Sequence, residues 1–408
     1  MNEIKRTLEA KIKKASDFFK VILLTGPRQV GKTTLLKNLM ESNRTYVSFD
    51  NIETRLEAME DPARFIQQLK LPVLVDEVQY VPELFSYIKL IVDQSDEKGL
   101  FWLTGSQQFS LMKNVTESLA GRVGIFRLQG ITHAEEYGAF ELPSFLPTPE
   151  RIEERAKYLK PMNSAQLYQK IWRGTFPQLV THGCDFWQIF YESYLTTYLE
   201  RDVYHYLKIN DLISFRKFMQ LLAARTSQML NYRELSKEVG VSEPTIKNWI
   251  HVLEATGLIV LLPPFFNNIS KRVLKTPKVY FLDTGLCTYL GRWLSPEVLE
   301  NGAMSGAFLE TYVISQIMSS CWHQGQTTNN LYYYGDQDRN EVDLLIHQDG
   351  GIYPLEIKKN ISIGNTNFKG FGFLDNCGQH VLNPSIINLG QELCFTRGNI
   401  QVIPIGYL

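Results

Sequence analysis

The stretch GPRQVGKT, Gly26 to Thr33, constrains this chain more than any other feature of its sequence. It fits the pattern GxxxxGK[ST], follows an apolar run over 21–25 that reads as a strand, and opens a helical pattern. The two glycines let backbone N–H groups curl around phosphate oxygens, and the following helix aims its positive end at them. This order predicts a nucleoside triphosphate held by Gly26, Pro27, Arg28, Gln29, Val30, Gly31, Lys32, Thr33 and Thr34. Lys32 reaches the β- and γ-phosphates, and the Thr33 hydroxyl ligates Mg²⁺.

A second strand, over 71–75, runs into Asp76-Glu77. Acidic residues at the C-terminal edge of a parallel sheet lie where ligands of α/β folds bind. Asp76 is therefore expected to hold Mg²⁺, and Glu77 to orient and deprotonate the attacking water. A third strand, over 100–104, runs into Gly105-Ser106-Gln107, making Ser106 a candidate contact to the γ-phosphate or the water. A plain turn reads almost as well there. Short apolar runs alternating with helical patterns over 1–137 predict a parallel α/β sheet.

At 408 residues the chain exceeds what one core usually holds, so two to three domains are expected. Its formal net charge of −1 argues against a uniformly basic nucleic-acid binder but leaves room for a local basic patch. None of the five cysteines sits in a CxxC pair, which points away from a disulfide framework or zinc knuckle and fits the cytoplasm. The charged N-terminus does not read as a signal peptide. The longest apolar stretch, 258–266, is broken by Pro263-Pro264, so no membrane span is expected.

Beyond 137, residues 138–162 carry Pro143, Pro147, Pro149 and Pro161 around a charged helical patch, a boundary or linker pattern within a segment 138–210. Its later part reads as helical and lid-like, with Trp172, Phe176, Tyr191, Tyr194 and Tyr198 spaced for a buried stripe. Residues 211–280 read as a winged helix-turn-helix. The apolar spacing of Leu235, Val239, Val241, Ile246, Ile250 and Leu253 fits two crossing helices, with Gly240 in the turn, Ser242 as cap and Pro244 in the first turn. The second helix would present Glu243, Thr245, Lys247, Asn248 and His251 to a major groove. Lys271, Arg272, Lys275 and Lys278 form a basic wing expected to contact phosphates. Thr245, Lys247, Asn248, Lys271, Arg272 and Lys275 are thus the candidate DNA-binding residues, although such units also mediate protein contacts.

The last segment, 281–408, contains EVDLLIHQDGGIYPLEIKK from Glu341 to Lys359. A two-residue turn at Asp349-Gly350 sets Asp343 opposite Glu356 and Glu341 opposite Lys358, all on one face; a turn at Gly350-Gly351 moves the pairing by two residues and keeps both faces. The other face carries Val342, Leu344, Ile346, Tyr353, Leu355 and Ile357. Asp343 and Glu356 with Lys358, joined by Glu310 from a preceding helix, would suit a Mg²⁺-dependent phosphodiesterase. A solvated hairpin face would carry the same residue types.

With these motifs assembled, the chain resembles AAA+ ATPases that combine an AAA_14 module with a DUF4143 region. The residues that carry the resemblance are the phosphate loop, LVDEVQ (74–79), LTGSQ (103–107), SLAGR (118–122), YLERDV (198–203) and PPFFNNISKR…KVYFLDTGL (263–286). The resemblance implies an α/β AAA+ P-loop domain, then a helical segment, a winged helix-turn-helix and a small restriction-endonuclease-like α/β domain. It also implies ATP as the nucleotide and a homo-oligomer, ring or filament, with sites at subunit boundaries. Arg122 would then be an arginine finger, with Arg127 and Arg201 as weaker candidates for finger or sensor. The Asp343, Glu356, Lys358 pattern is similar to PD-(D/E)xK nucleases, except that Val342 stands where a proline often precedes the aspartate. Three functions follow as expectations: an ATP-driven motor (translocase or helicase) on duplex or branched DNA, an ATP-gated metal-dependent nuclease, and a nucleotide-controlled switch that binds a protein partner.

Overall fold

Five uninterrupted buried residues, Val21–Thr25, make β1 the strand on which the N-terminal domain is built. The computed structural model describes residues 4–106, 118–206, 211–265, 276–335, 340–360, 371, 372, 374, 378–396 and 398–408. Strands β1, β2 (Thr45–Ser48), β3 (Val73–Asp76), β4 (Phe101–Gly105) and β5 (Val123–Arg127) pair in parallel in the order β2-β3-β4-β1-β5. Near-continuous apolar runs are what a sheet covered on both faces requires. Ile22, Leu24, Leu74 and Trp102 pack on one side with helices Leu8–Ser16 and Lys32–Leu39. Val21, Leu23, Val75, Phe101 and Leu103 pack on the other, against Phe85 and Ile88 of helix Leu84–Gln94. The loop after β1 and the end of β3 therefore meet at one sheet edge.

Residues 138–162 form a strap. Helix Pro149–Ala156, capped by Thr148, buries Arg155, whose Nε donates to the Tyr407 carbonyl at 2.5 Å and Nη1 to the Pro143 carbonyl at 3.0 Å. The aromatic stripe is present: Phe176, Tyr191, Tyr194 and Tyr198 are buried, and Trp172 stacks on Trp187 at 4.3 Å.

Helices Tyr232–Val239 and Glu243–Ala255 meet at Gly240, whose φ of 91° is the left-handed conformation that glycine tolerates. The Ser242 hydroxyl accepts from Thr245 N at 3.2 Å, and Pro244 sits in the first turn. Strands β6 (Ile259–Leu262) and β7 (Lys278–Phe281) then pair antiparallel. Lys271, Arg272 and Lys275 lie outside the described residues.

In the C-terminal domain, β8 (Leu331–Gly335), β9 (Glu341–Gln348) and β10 (Gly351–Ile357) run antiparallel, and β10 pairs in parallel with β11 (His380–Val381) and β12 (Ser385–Asn388). Strands β13 (Cys394–Phe395) and β14 (Gln401–Pro404) complete the sheet beside helix Ser305–His323. The turn falls at Asp349-Gly350, both with positive φ, and Leu355 lies opposite Leu344, so one further step sets Glu356 opposite Asp343 as expected. The hairpin is not one-sided: all seven residues of β10 are buried, and Leu345 and Ile352 join a second core with Val342 and Phe265. Among the described residues no helix is long and apolar enough to cross a membrane.

Candidate nucleotide site

The phosphate loop takes its shape from backbone conformations that most side chains resist. Gly26 has φ 147°, Gln29 φ 60° and Gly31 φ 93°. A Cβ on Gly26 would stand 2.0 Å from the Leu128 carbonyl oxygen, so no other residue fits there without moving β5's continuation. The helix starts at Lys32 with no side-chain cap, leaving its first N–H groups directed at the loop. Lys32 is buried, and its Nζ donates to the carbonyls of Gly26 at 3.0 Å and Pro27 at 2.7 Å. Arg28 is half-buried, and Gln29 and Thr34 are exposed around the loop.

At the neighbouring strand end, the Thr33 hydroxyl donates to Asp76 Oδ1 at 2.8 Å and Tyr46 OH to Oδ2 at 3.0 Å, while Thr104 adds a third hydroxyl to Oδ1. Glu77 follows with a left-handed backbone, φ 56° and ψ 45°, its N–H held by Thr104 Oγ1 at 3.1 Å. Such a conformation costs about 1–3 kcal/mol for a non-glycine residue and clusters at functional sites. The Glu77 carboxylate is fixed by Gln79 Nε2 and by Ser106 Oγ at 3.4 Å, and Gln79 also donates to Ser106 Oγ at 3.3 Å. The structure thus brings Lys32, Thr33, Asp76, Glu77 and Ser106 to one sheet edge. Hydroxyls and a carboxylate at the end of β3, beside an uncapped helix start and a buried lysine, are a donor set that fits a Mg²⁺–nucleoside triphosphate. Tyr46, Gln79 and Thr104 were not singled out from sequence. Gln79 and Thr104 lie inside the LVDEVQ and LTGSQ motifs, whereas nothing in the sequence marks Tyr46.

Beside the loop lies a cavity of about 230 Å³ walled by Val30, Leu35, Ile131 and Pro177, with Thr181 and His182 at its polar side. Arg6 also lines this cavity and organises its rim. It donates to the carbonyls of Val30 at 3.0 Å, Gln129 at 2.8 Å and Gly130 at 3.0 Å, and its Nε lies 3.2 Å from Glu135 Oε2. His323, from the long C-terminal helix, accepts from Gln129 N at 3.0 Å through Nε2, which leaves Nδ1 to face Glu135 at 3.1 Å. Burial alone would raise the Glu135 pKa, but Arg6 and His323 hold it far below the ordinary carboxylate range.

Comparison with known proteins agrees with this geometry. The family AAA_14, an AAA domain, matches residues 18–137, and DUF4143, a domain of unknown function, matches 305–408. This is an AAA-type P-loop protein with a C-terminal DUF4143 domain. A further domain of unknown function, DUF8612, matches residues 164–297, the span of the helical segment and the helix-turn-helix. The AAA-type protein is 29% identical over 357 residues to the uncharacterised proteins Rv2008c of Mycobacterium tuberculosis and Mb2031c of Mycobacterium bovis, covering 87% of this chain and 74% of each relative. Among solved structures it resembles the Walker-type ATPase PABY2304 of Pyrococcus abyssi, with 16% identity, a TM-score of 0.43, and coverage of 71% of this chain and 96% of that one. It also matches the RuvB Holliday junction branch migration motor of Thermotoga maritima, with 18% identity, a TM-score of 0.28, and coverage of 63% and 86%.

Two arginines of the AAA-type protein sit at opposite ends of β5. Arg122 precedes it, at the edge remote from the phosphate loop, paired with Asp93 and partly exposed. Arg127 ends it, half-buried against the Trp322 ring at 3.9 Å, where loss of hydration lowers its pKa to about 10. On the second helix of the helix-turn-helix, Lys247 and Asn248 are exposed, although Lys247 pairs with Glu243 at 3.3 Å. Thr245 is half-buried and bonded to Ser242.

Lys278 corrects the wing reading. It is buried, 3.0 Å from Glu310 and 2.6 Å from Glu341, and so is not an exposed wing lysine. The proposed C-terminal metal set also changes. Asp343 lies near Glu310 and Glu356, and burial with these two carboxylates pushes its pKa well above the ordinary value. Yet among the described residues no three His, Cys, Asp or Glu side chains converge to hold a metal ion. Glu310 is turned to Lys278 and Tyr280, Glu356 to Lys358 at 2.5 Å, and Asp343 to the Ile357 N–H at 2.7 Å.

Proposed function

We propose that this AAA-type protein is a Mg²⁺-dependent ATPase whose turnover drives action on DNA, as an oligomeric motor on duplex or branched DNA. The observation that carries the chemical half is the contact between Thr33 and Asp76 with Glu77 alongside. Thr33 and Asp76 would hold Mg²⁺, which supplies charge neutralisation on the phosphates when bound. Lys32 exchanges its two loop carbonyls for β- and γ-phosphate oxygens. Glu77, held by Gln79 and Ser106, takes the proton from the attacking water. The cavity bounded by Val30, Leu35, Ile131 and Pro177 receives the base.

The packing around the loop supports coupling to the rest of the chain. A Cβ on Gly257, in the turn that ends the helix-turn-helix, would stand 3.2 Å from Pro27 Cγ, so that unit rests on the phosphate loop. Arg6 ties Val30 to Glu135 and, through it, to His323 of the C-terminal domain. A shift of the loop during turnover is thereby transmitted to the helix carrying Lys247 and Asn248.

The test is the steady-state ATPase rate with Mg²⁺, with and without duplex, single-stranded and branched DNA, with the mass in solution recorded alongside. Many-fold stimulation by one DNA form, abolished in Lys32→Ala, supports the motor. A Lys32-dependent rate indifferent to every DNA replaces it with the nucleotide-controlled switch. A rate unaltered by Lys32→Ala removes the ATPase reading itself.

A further inference from the structure

Lys278, the first residue of β7, carries its ammonium into the C-terminal domain, where its side chain is only 6% exposed. There it lies 3.0 Å from Glu310 Oε1 on helix Ser305–His323 and 2.6 Å from Glu341 Oε1 on β9. The Tyr333 ring stands 5.5 Å away, and Tyr280 OH donates to the same Glu310 oxygen at 2.5 Å. Glu310 makes this a paired buried charge, while Glu341 reaches the ammonium from an exposed position, so loss of Glu310 would leave the lysine's buried side unpaired.

We propose that Lys278 is the resident cation of this carboxylate cluster, standing in place of a divalent metal and locking the β6–β7 strand pair onto the C-terminal sheet. A Mg²⁺ or Mn²⁺ ion needs several oxygens converging at about 2.0–2.6 Å. Here Glu310 is engaged by Lys278 and Tyr280, Asp343 accepts the Ile357 N–H, and Glu356 Oε1 pairs with Lys358. Glu356 Oε2 is buried without a hydrogen-bond partner, yet among the described residues no three His, Cys, Asp or Glu side chains converge to hold a metal ion. An ammonium already shared by Glu310 and Glu341 would also repel a divalent ion brought to the same oxygens. The helix-turn-helix unit, which ends in β7, thus closes the cluster that resembles a nuclease centre. This inference does not depend on the nucleotide site.

The experiment is thermal unfolding with and without Mn²⁺, without nucleotide, in an Asp76→Asn background that removes the P-loop carboxylate from the readout. With Lys278 present, Mn²⁺ is expected to leave Tm unchanged, and Lys278→Arg should behave likewise. Lys278→Met, which exposes the carboxylates to one another, should gain a Mn²⁺-dependent rise in Tm that Asp343→Asn abolishes. A Mn²⁺-dependent rise in the protein retaining Lys278, lost on Asp343→Asn, would overturn the proposal, as would indifference of Lys278→Met to the ion. If Lys278→Met does not fold, the triple variant Lys278→Met, Glu310→Gln, Glu341→Gln removes the charges that Lys278 neutralises. Recovery of a cooperative transition supports the assigned role, and failure to recover refutes it.

Discussion

The Thr33 hydroxyl donates a 2.8 Å hydrogen bond to Oδ1 of Asp76, joining the first turn of the helix after the phosphate loop to the end of β3. As the proposed holders of one Mg²⁺, the two groups should not act independently. Thr33→Ala and Asp76→Asn are each expected to weaken Mg²⁺-dependent binding of a fluorescent ATP analogue. The double variant should lose barely more than the worse single variant, since residues sharing a partner are non-additive. Fully additive losses would show that they serve different functions.

Glu77 is held by Gln79 and Ser106 rather than bonded to Lys32 or Thr33. Glu77→Gln should therefore keep nucleotide affinity while turnover falls by about 10²-fold or more, the usual contribution of a general base. Equal loss of affinity and rate would place Glu77 in binding instead.

Arg122 lies at the end of β5 remote from its own phosphate loop, so in the proposed oligomer it would serve a neighbouring subunit's nucleotide. Arg122→Ala should bind nucleotide normally yet turn over about 10³-fold more slowly, as for an arginine finger. Mixing it with Lys32→Ala subunits should restore part of the rate, because one mixed interface then holds an intact loop and an intact arginine. If Arg122 serves only its exposed pair with Asp93, the rate stays at the wild-type level and Tm moves little.

Glu136 is gripped by Arg173 at 3.0 and 2.8 Å and by Lys170 at 2.7 Å. Burial alone would raise its pKa, but Arg173 and then Lys170 outweigh it and bring it down from 4.5 to about 2. A depressed carboxylate stabilises the fold fully above its unfolded pKa and loses that contribution as pH falls through the folded value. Stability should thus decline between pH 4.5 and about 2, and Glu136→Gln should flatten the decline in that window. Chemical denaturation at stepped pH reads this directly.

Lys247, Asn248 and His251 are exposed on the second helix of the helix-turn-helix. Lys247→Ala should lower DNA affinity about equally for all sequences and reduce the slope of log affinity against log salt by about one. Asn248→Ala should leave that slope intact. An unchanged salt slope in Lys247→Ala would take this helix off the phosphates.

The phosphate loop was legible from sequence because its chemistry is local. Glycine at 26 and 31, lysine at 32 and threonine at 33 are dictated by backbone angles and phosphate reach over eight consecutive residues. The β9–β10 hairpin was legible for the same reason, since Asp349-Gly350 and the two-residue alternation fix which side chains share a face. Residues far apart in the chain were another matter. Arg6 lies 123 positions from Gln129 and 129 from Glu135, and no local pattern announces that they meet. Lys278 read as a wing lysine because its neighbours in sequence are basic, whereas its neighbours in space are Glu310 and Glu341. A charged side chain's role follows the charges and solvent around it, and those are set by tertiary packing. The sequence by itself determined the phosphate loop and the strands that carry it. Only the folded chain decided which distant charges pair, and so which carboxylates stand free to bind an ion.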